Sequence, residues 1–149
     1  MLGFRDVVEK NLRIYSGGEL FFDKMDEDIK SNRRILQALF DLKEKIFPNH
    51  SVIMSGEVAE RAKEFGFGVD VMVNGGLRKN EICCNSPPQS NGKFVFIDDS
   101  FFQGRTCEKV KQWLAHTGNL LEYCLVGYDG CREKLPYVIS LYRYYDYYD

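Results

Sequence analysis

Long apolar runs are missing from this chain. No stretch approaches the roughly 18 consecutive apolar residues of a membrane-spanning helix, and the N-terminus lacks a signal-peptide pattern. An excess of basic charge is missing too. Twenty Lys and Arg face 22 Asp and Glu, for a net charge of -2 and a pI of about 5.8. No global positive field therefore favours nucleic acid. Paired cysteine motifs are absent. The five cysteines, Cys83, Cys84, Cys107, Cys124 and Cys131, make an odd number with no C-x-x-C spacing. That argues against a disulfide framework or a zinc site and favours small buried hydrophobes. No G-x-x-x-x-G-K-[ST] occurs, which excludes a P-loop NTPase. The two histidines, His50 and His116, stand alone and are not read as catalytic. These absences together lead us to expect a cytoplasmic protein that engages neither membrane nor nucleic acid.

What is present is the texture of one α/β domain. A chain of 149 residues fits one domain, and at that size folding buries about 70% of the unfolded surface. Three parts are expected: a helical N-terminal part over 1–48, an α/β core over 49–142, and an aromatic tail over 143–149. Val7, Val8, Leu12 and Tyr15 recur at roughly helical spacing before Gly17-Gly18. A long helix is predicted from Asp26, with Ile35, Leu36, Leu39, Phe40 and Ile46 on its apolar face and Pro48 after its end. Strands are predicted at 51–54, 69–73, 78–84, 94–97, 120–126 and 137–142. Helices are predicted at 57–65, with Gly66 beyond its end, and at 106–117, with Thr106 as N-cap. Strands separated by helices imply a mostly parallel central sheet flanked by helices.

The stretch that carries most chemistry runs from Phe94 to Thr106. Four apolar residues, Phe94 to Ile97, are followed by Asp98 and Asp99, a short loop, Gly104, and Thr106 at the start of an amphipathic helix. In open α/β sheets ligands bind at the carboxyl ends of strands. A helix N-terminus presents free N–H groups and a positive dipole end to phosphate. An acidic pair can meet sugar hydroxyls or a hydrated divalent cation. The order and spacing of these residues resemble the phosphoribosyl pyrophosphate (PRPP) signature of type I phosphoribosyltransferases. Phe101, Phe102 and Gln103 depart from that pattern, standing where the family has smaller or hydroxyl-bearing residues.

The resemblance implies a phosphoribosyltransferase-like fold and a set of roles. Asp98 and Asp99 would position the ribose and hold Mg²⁺, and Ser100, Phe101, Phe102, Gln103, Gly104, Arg105 and Thr106 would wrap the 5′-phosphate of PRPP or a nucleoside monophosphate. Ser55-Gly56, after the first core strand, would take the pyrophosphate, and Glu57 beside them is an acid where pyrophosphate would lie. Arg78 and Lys79, after the turn signal Asn74-Gly75-Gly76, occupy the place of the family's catalytic loop. The implied activity is transfer of a phosphoribosyl group to a nitrogenous base. The alternative is a catalytically silent domain of the same fold that senses a ligand or binds a protein. The tyrosine-rich tail suits stacking on a base or a homodimer contact.

Overall fold

Three short apolar runs, Val52 to Met54, Phe94 to Ile97 and Cys124 to Val126, form the buried centre of a parallel sheet. Continuous apolar sequence is what strands covered on both faces require. The computed structural model describes residues 12–14, 20–22, 29–74, 83–84 and 89–147. The elements are β1 (Leu12–Ile14), β2 (Leu20–Phe22), α1 (Ile29–Ile46), β3 (Ser51–Ser55), α2 (Gly56–Glu64), β4 (Val71–Asn74), β5 (Cys83–Cys84), β6 (Lys93–Phe101), α3 (Arg105–His116), β7 (Leu120–Asp129) and β8 (Val138–Arg143), followed by a 3₁₀ turn over Tyr144–Asp146.

The main sheet has the order β5-β4-β3-β6-β7-β8. β4, β3, β6, β7 and β8 run parallel, and β5 is antiparallel to β4. β1 and β2 form a separate antiparallel pair. From β3 the chain passes through α2 and moves outward to β4. From β6 it passes through α3 and moves outward in the other direction, to β7. β3 and β6 are neighbours, so the gap between their carboxyl ends is the topological switch point of the sheet, where open α/β sheets bind ligands.

The helices cover opposite faces. Ile35, Leu36 and Leu39 of α1 and Ala59 and Ala62 of α2 pack against Val52, Met54, Val95, Ile97 and Leu125. Cys107, Val110 and Leu114 of α3 pack against Ile53, Phe96, Cys124 and Val126. The alternation of Val95 and Ile97 to one face, and Phe94 and Phe96 to the other, is the period-two rule of a strand.

Several sequence expectations are corrected. Leu12–Ile14 is a strand paired with Leu20–Phe22, not the end of a helix, and Arg13 between Leu12 and Ile14 gives it the strand alternation. β6 and β7 do not stop at Ile97 and Val126. They continue to Phe101 and Asp129 because the ladder goes on through Ser100↔Tyr128 and Phe101↔Asp129. β4 starts at Val71 rather than Val69. No helix joins β7 to β8; residues 130–137 make that parallel crossover alone. Only Cys83 and Cys84 of the expected return strand are among the described residues. The expected helix start at Asp26 lies outside them, as do Gly75, Gly76 and Tyr148.

Candidate active site

The site begins with two strand ends. The β3–β6 ladder's last pair is Ile53↔Phe96, and two residues further on lie Ser55 and Asp98. Ser55 is the N-cap of α2 with an extended backbone (φ -131°) and no side-chain capping bond. Gly56 follows with φ +65°, a left-handed conformation that glycine adopts without a Cβ penalty. Nothing lies within 4 Å of where a Gly56 Cβ would sit, so the backbone there is open to approach. Glu57, in the first turn of α2, is exposed.

On β6 the acidic pair sits inside the strand, not after it. Asp98 and Asp99 are both half-buried. Asp98 Oδ1 accepts a hydrogen bond from the Asp99 backbone N–H at 2.8 Å. Ser100 Oγ donates to Asp99 Oδ1 at 3.1 Å. Burial of its carboxyl pushes the Asp98 pKa well above the usual carboxylate range, reinforced by the Asp99 charge and a side-chain hydrogen bond with Asp99. Neighbouring carboxyl groups disfavour each other's ionisation, which favours a proton on Asp98. A divalent cation would replace that proton, and Mg²⁺ takes hard oxygen donors from as few as one or two carboxylates. The donor set of Asp98 and Asp99 therefore suits Mg²⁺. Among the described residues no cluster of three or more His, Cys, Asp or Glu is placed to form an all-protein metal cage.

Beyond the pair, the loop is only Phe102 to Gly104, because Phe101 belongs to β6 and Arg105 to α3. Thr106 is not the N-cap. Gly104 takes that place with φ +72°, and α3 has no side-chain cap. The Glu108 N–H bonds back to the Gly104 carbonyl at 2.9 Å. The earlier N–H groups of the first turn point toward the loop, as orphan donors at a helix start do.

Asp98, Ser100, Thr106 and Cys107, with the loop residues, Arg105, Phe96 and Phe101, line a cavity of about 520 Å³. Gln103 and Arg105 are exposed at its rim, and Thr106 is half-buried. The two phenylalanines do not crowd the opening. Phe101 is 4% exposed and turns into the α3-side core, where a Cβ on Gly104 would meet its Cζ at 2.8 Å. Phe102 turns to the opposite core, against Tyr128 at a ring separation of 5.6 Å.

The structure thus brings Asp98, Ser100, Phe101, Phe102, Gln103, Gly104, Arg105 and Thr106 to one cavity. It sets Ser55-Gly56 on the neighbouring strand end. Asp99 adjoins this group through Asp98 without lining the cavity. Arg78 and Lys79 lie outside the described residues.

Sequence reading missed a second acidic group at the same sheet edge. Asp129, at the end of β7, is 3% exposed and accepts the Cys131 N–H at 2.9 Å. Arg143 Nε lies 3.5 Å from its Oδ2, while Arg143 Nη2 donates to the carbonyls of Cys131 and Arg132. Burial raises the Asp129 pKa, against the lowering effect of the Cys131 N–H and Arg143. The tail is tied down by this pair and by stacking of Tyr128 on Tyr142 and Tyr142 on Tyr147. The only sequence signal was Tyr128-Asp129-Gly130, an apolar run closing on an acid and a glycine. His50 Nε2 lies 2.9 Å from Glu122 Oε1.

No protein-family model matches the sequence, and no curated protein matches it either. Solved structures do match the fold. An adenine phosphoribosyltransferase from Thermoanaerobacter pseudethanolicus superposes with a TM-score of 0.67 at 17% identity, over 92% of this chain and 98% of that one. An orotate phosphoribosyltransferase from Aeropyrum pernix gives 0.64 at 16% identity, over 94% and 93%. The adenine phosphoribosyltransferase of Saccharomyces cerevisiae, complexed with an imino-altritol bisphosphate and adenine, gives 0.67 at 16% identity, over 93% and 98%. The fold is that of the phosphoribosyltransferases.

Proposed function

We propose that this chain binds PRPP or a nucleoside 5′-monophosphate and, with PRPP as donor, transfers the phosphoribosyl group to a nitrogenous base, releasing pyrophosphate. The observation that supports this most is the cavity where the first turn of α3 meets Asp98 and Ser100 beside the sheet's switch point. The first-turn N–H groups, the Gln103 amide, Arg105 and the Thr106 hydroxyl receive the 5′-phosphate. Asp98 and Asp99 take the ribose hydroxyls; a protonated Asp98 can donate as well as accept. Ser55-Gly56 lies where the pyrophosphate would leave.

In the reaction a base nitrogen forms a bond to ribose C1 as the C1–O bond to pyrophosphate breaks. Asp98 and Asp99 would hold Mg²⁺, which when bound neutralises charge on the pyrophosphate. The chain's own part is to orient the ribose and anchor its 5′ end, so that the reacting atoms start aligned. Arg78 and Lys79 are assigned to the departing pyrophosphate from their place in the sequence.

A second reading, ligand sensing without turnover, draws support from two observations. Asp98 is biased toward its neutral form, and the exposed Glu57 repels pyrophosphate at Gly56. Calorimetric titration with PRPP and Mg²⁺, ribose 5-phosphate and a nucleoside monophosphate, followed by pyrophosphate release over a panel of bases, separates the two. Binding with release, lost in Asp98→Asn/Asp99→Asn, is expected. Binding without release selects the sensor, and no binding to any of the three ligands refutes both.

A further inference from the structure

Two cysteines adjoin behind the same cavity: Cys107 lines it, and Cys124 lies in the core cluster that Cys107 shares. Cys107 is the third residue of α3, and Cys124 lies on β7 opposite Phe96. Neither is in a disulfide. Their thiols hydrogen-bond to each other within the α3-side core. Cys124 is fully buried, whereas Cys107, though only 3% exposed, lines the cavity and is reached through it. Cys107 also sits in the first turn of a 12-residue helix, whose positive end favours a thiolate.

We propose that Cys107 and Cys124 are an oxidisable dithiol, with Cys107 the sulfur attacked through the cavity and Cys124 the resolving sulfur, and that its closure moves the first turn of α3. The oxidant class is a peroxide. The Cys107 thiolate attacks one peroxide oxygen, the O–O bond breaks, and the leaving alkoxide or hydroxide takes a proton. Cys107 becomes a sulfenic acid. Cys124 sulfur then attacks Cys107 sulfur, the S–O bond breaks, and hydroxide leaves with the Cys124 proton as water. Two electrons pass from the two sulfurs to the peroxide.

The protonation pattern fits this order. The hydrogen bond from Cys124 pulls the Cys107 pKa down against its burial, and the same bond, with burial, pushes that of Cys124 well up. A covalent S–S bond is shorter than a thiol hydrogen bond. Closure therefore draws Arg105–Cys107 toward β7, and with them the wall of the cavity. Trp113, the chain's single tryptophan, is on the same helix and packs against the same core, so it reports that movement whether or not any ligand binds.

The test is hydrogen peroxide treatment of the full chain, with peptide mapping and tryptophan emission followed together. The expected result is a cross-linked peptide pair containing Cys107 and Cys124, formed in step with a shift of Trp113 emission. In Cys124→Ala, Cys107 should stop at a sulfenic acid that dimedone captures, with no emission shift. Should that variant not fold, Cys124→Ser serves. Mapping of a different pair, such as Cys107 with Cys131, overturns the assignment. A Cys107–Cys124 bond with unchanged Trp113 emission overturns the coupling to α3.

Discussion

Replacing Asp98 with asparagine should make the protein more stable at neutral pH, not less. The substitution keeps the geometry: asparagine Oδ1 can still accept the Asp99 N–H now held at 2.8 Å, and its Nδ2 offers the Asp99 carboxylate a donor in place of a protonated Asp98. What it removes is the cost of keeping a half-buried acid protonated at neutral pH. Burial and the Asp99 charge raise the Asp98 pKa in the folded state, so above about pH 4 the unfolded chain has released a proton that the folded chain retains. The stability this contributes is complete below the unfolded value and is lost as pH rises toward the folded value. One whole proton corresponds to about 1.4 kcal/mol per pH unit within that window. At this chain length that is roughly 5 °C of Tm per pH unit. Asp129 slopes the same way, so both proteins keep part of the trend and the difference between their curves isolates Asp98. Urea unfolding of wild type and Asp98→Asn from about pH 4 to pH 8 gives both curves. Curves that stay parallel, or a variant weaker than wild type at pH 7, would refute the raised pKa of Asp98. A variant that is more stable yet no longer binds PRPP would mark Asp98 as kept for a ligand at the expense of stability.

Other perturbations test the frame around the site. Gly127→Ala places a Cβ 2.7 Å from Ile35 Cγ2 and 2.9 Å from the Asp99 carbonyl oxygen; the overpacking should cost about 3 kcal/mol in denaturant unfolding. Gly104→Ala has two penalties, a left-handed φ worth about 1 kcal/mol and a clash with Phe101 Cζ at 2.8 Å worth about 1–2 more. Adding Phe101→Leu should relieve the clash alone, which a double-mutant cycle on Tm would read as positive coupling. Arg143→Met leaves Asp129 buried without its cation and should cost about 3–5 kcal/mol, with the loss shrinking in acid as Asp129 protonates.

The part of the fold legible in the sequence is the part written in local pattern. Helical periodicity located Leu36 and Leu39 on α1 and Val110 and Leu114 on α3, continuous apolar runs located the centres of β3 and β6, and a mostly apolar run broken by Glu122 located β7. The acidic pair was legible because a buried run ending on two carboxylates is rare without a purpose. Strand length was not. Asp98, Asp99 and Ser100 are poor strand formers by propensity, and they are held extended only because β7 offers a ladder through Tyr128 and Asp129. The cap of α3 differs for a related reason: Thr106 has the better capping chemistry, but the strand's extra residues bring the chain to the helix two residues earlier, at Gly104, where the left-handed φ of +72° favours glycine. The helix-free crossover from β7 to β8 could not be read either, since its support comes from Arg143 reaching back to the carbonyls of Cys131 and Arg132.

The splitting of Phe101 and Phe102 between the two cores has a kinetic consequence. A three-residue loop anchored by one ring on each side of the sheet has little freedom left to lose when a ligand arrives. Association then needs no ordering step at the phosphate end, and the observed rate should rise linearly with ligand concentration, without the plateau that a rate-limiting rearrangement imposes. A plateau, if one is measured, would have to originate elsewhere in the molecule than at the Phe102–Gly104 loop.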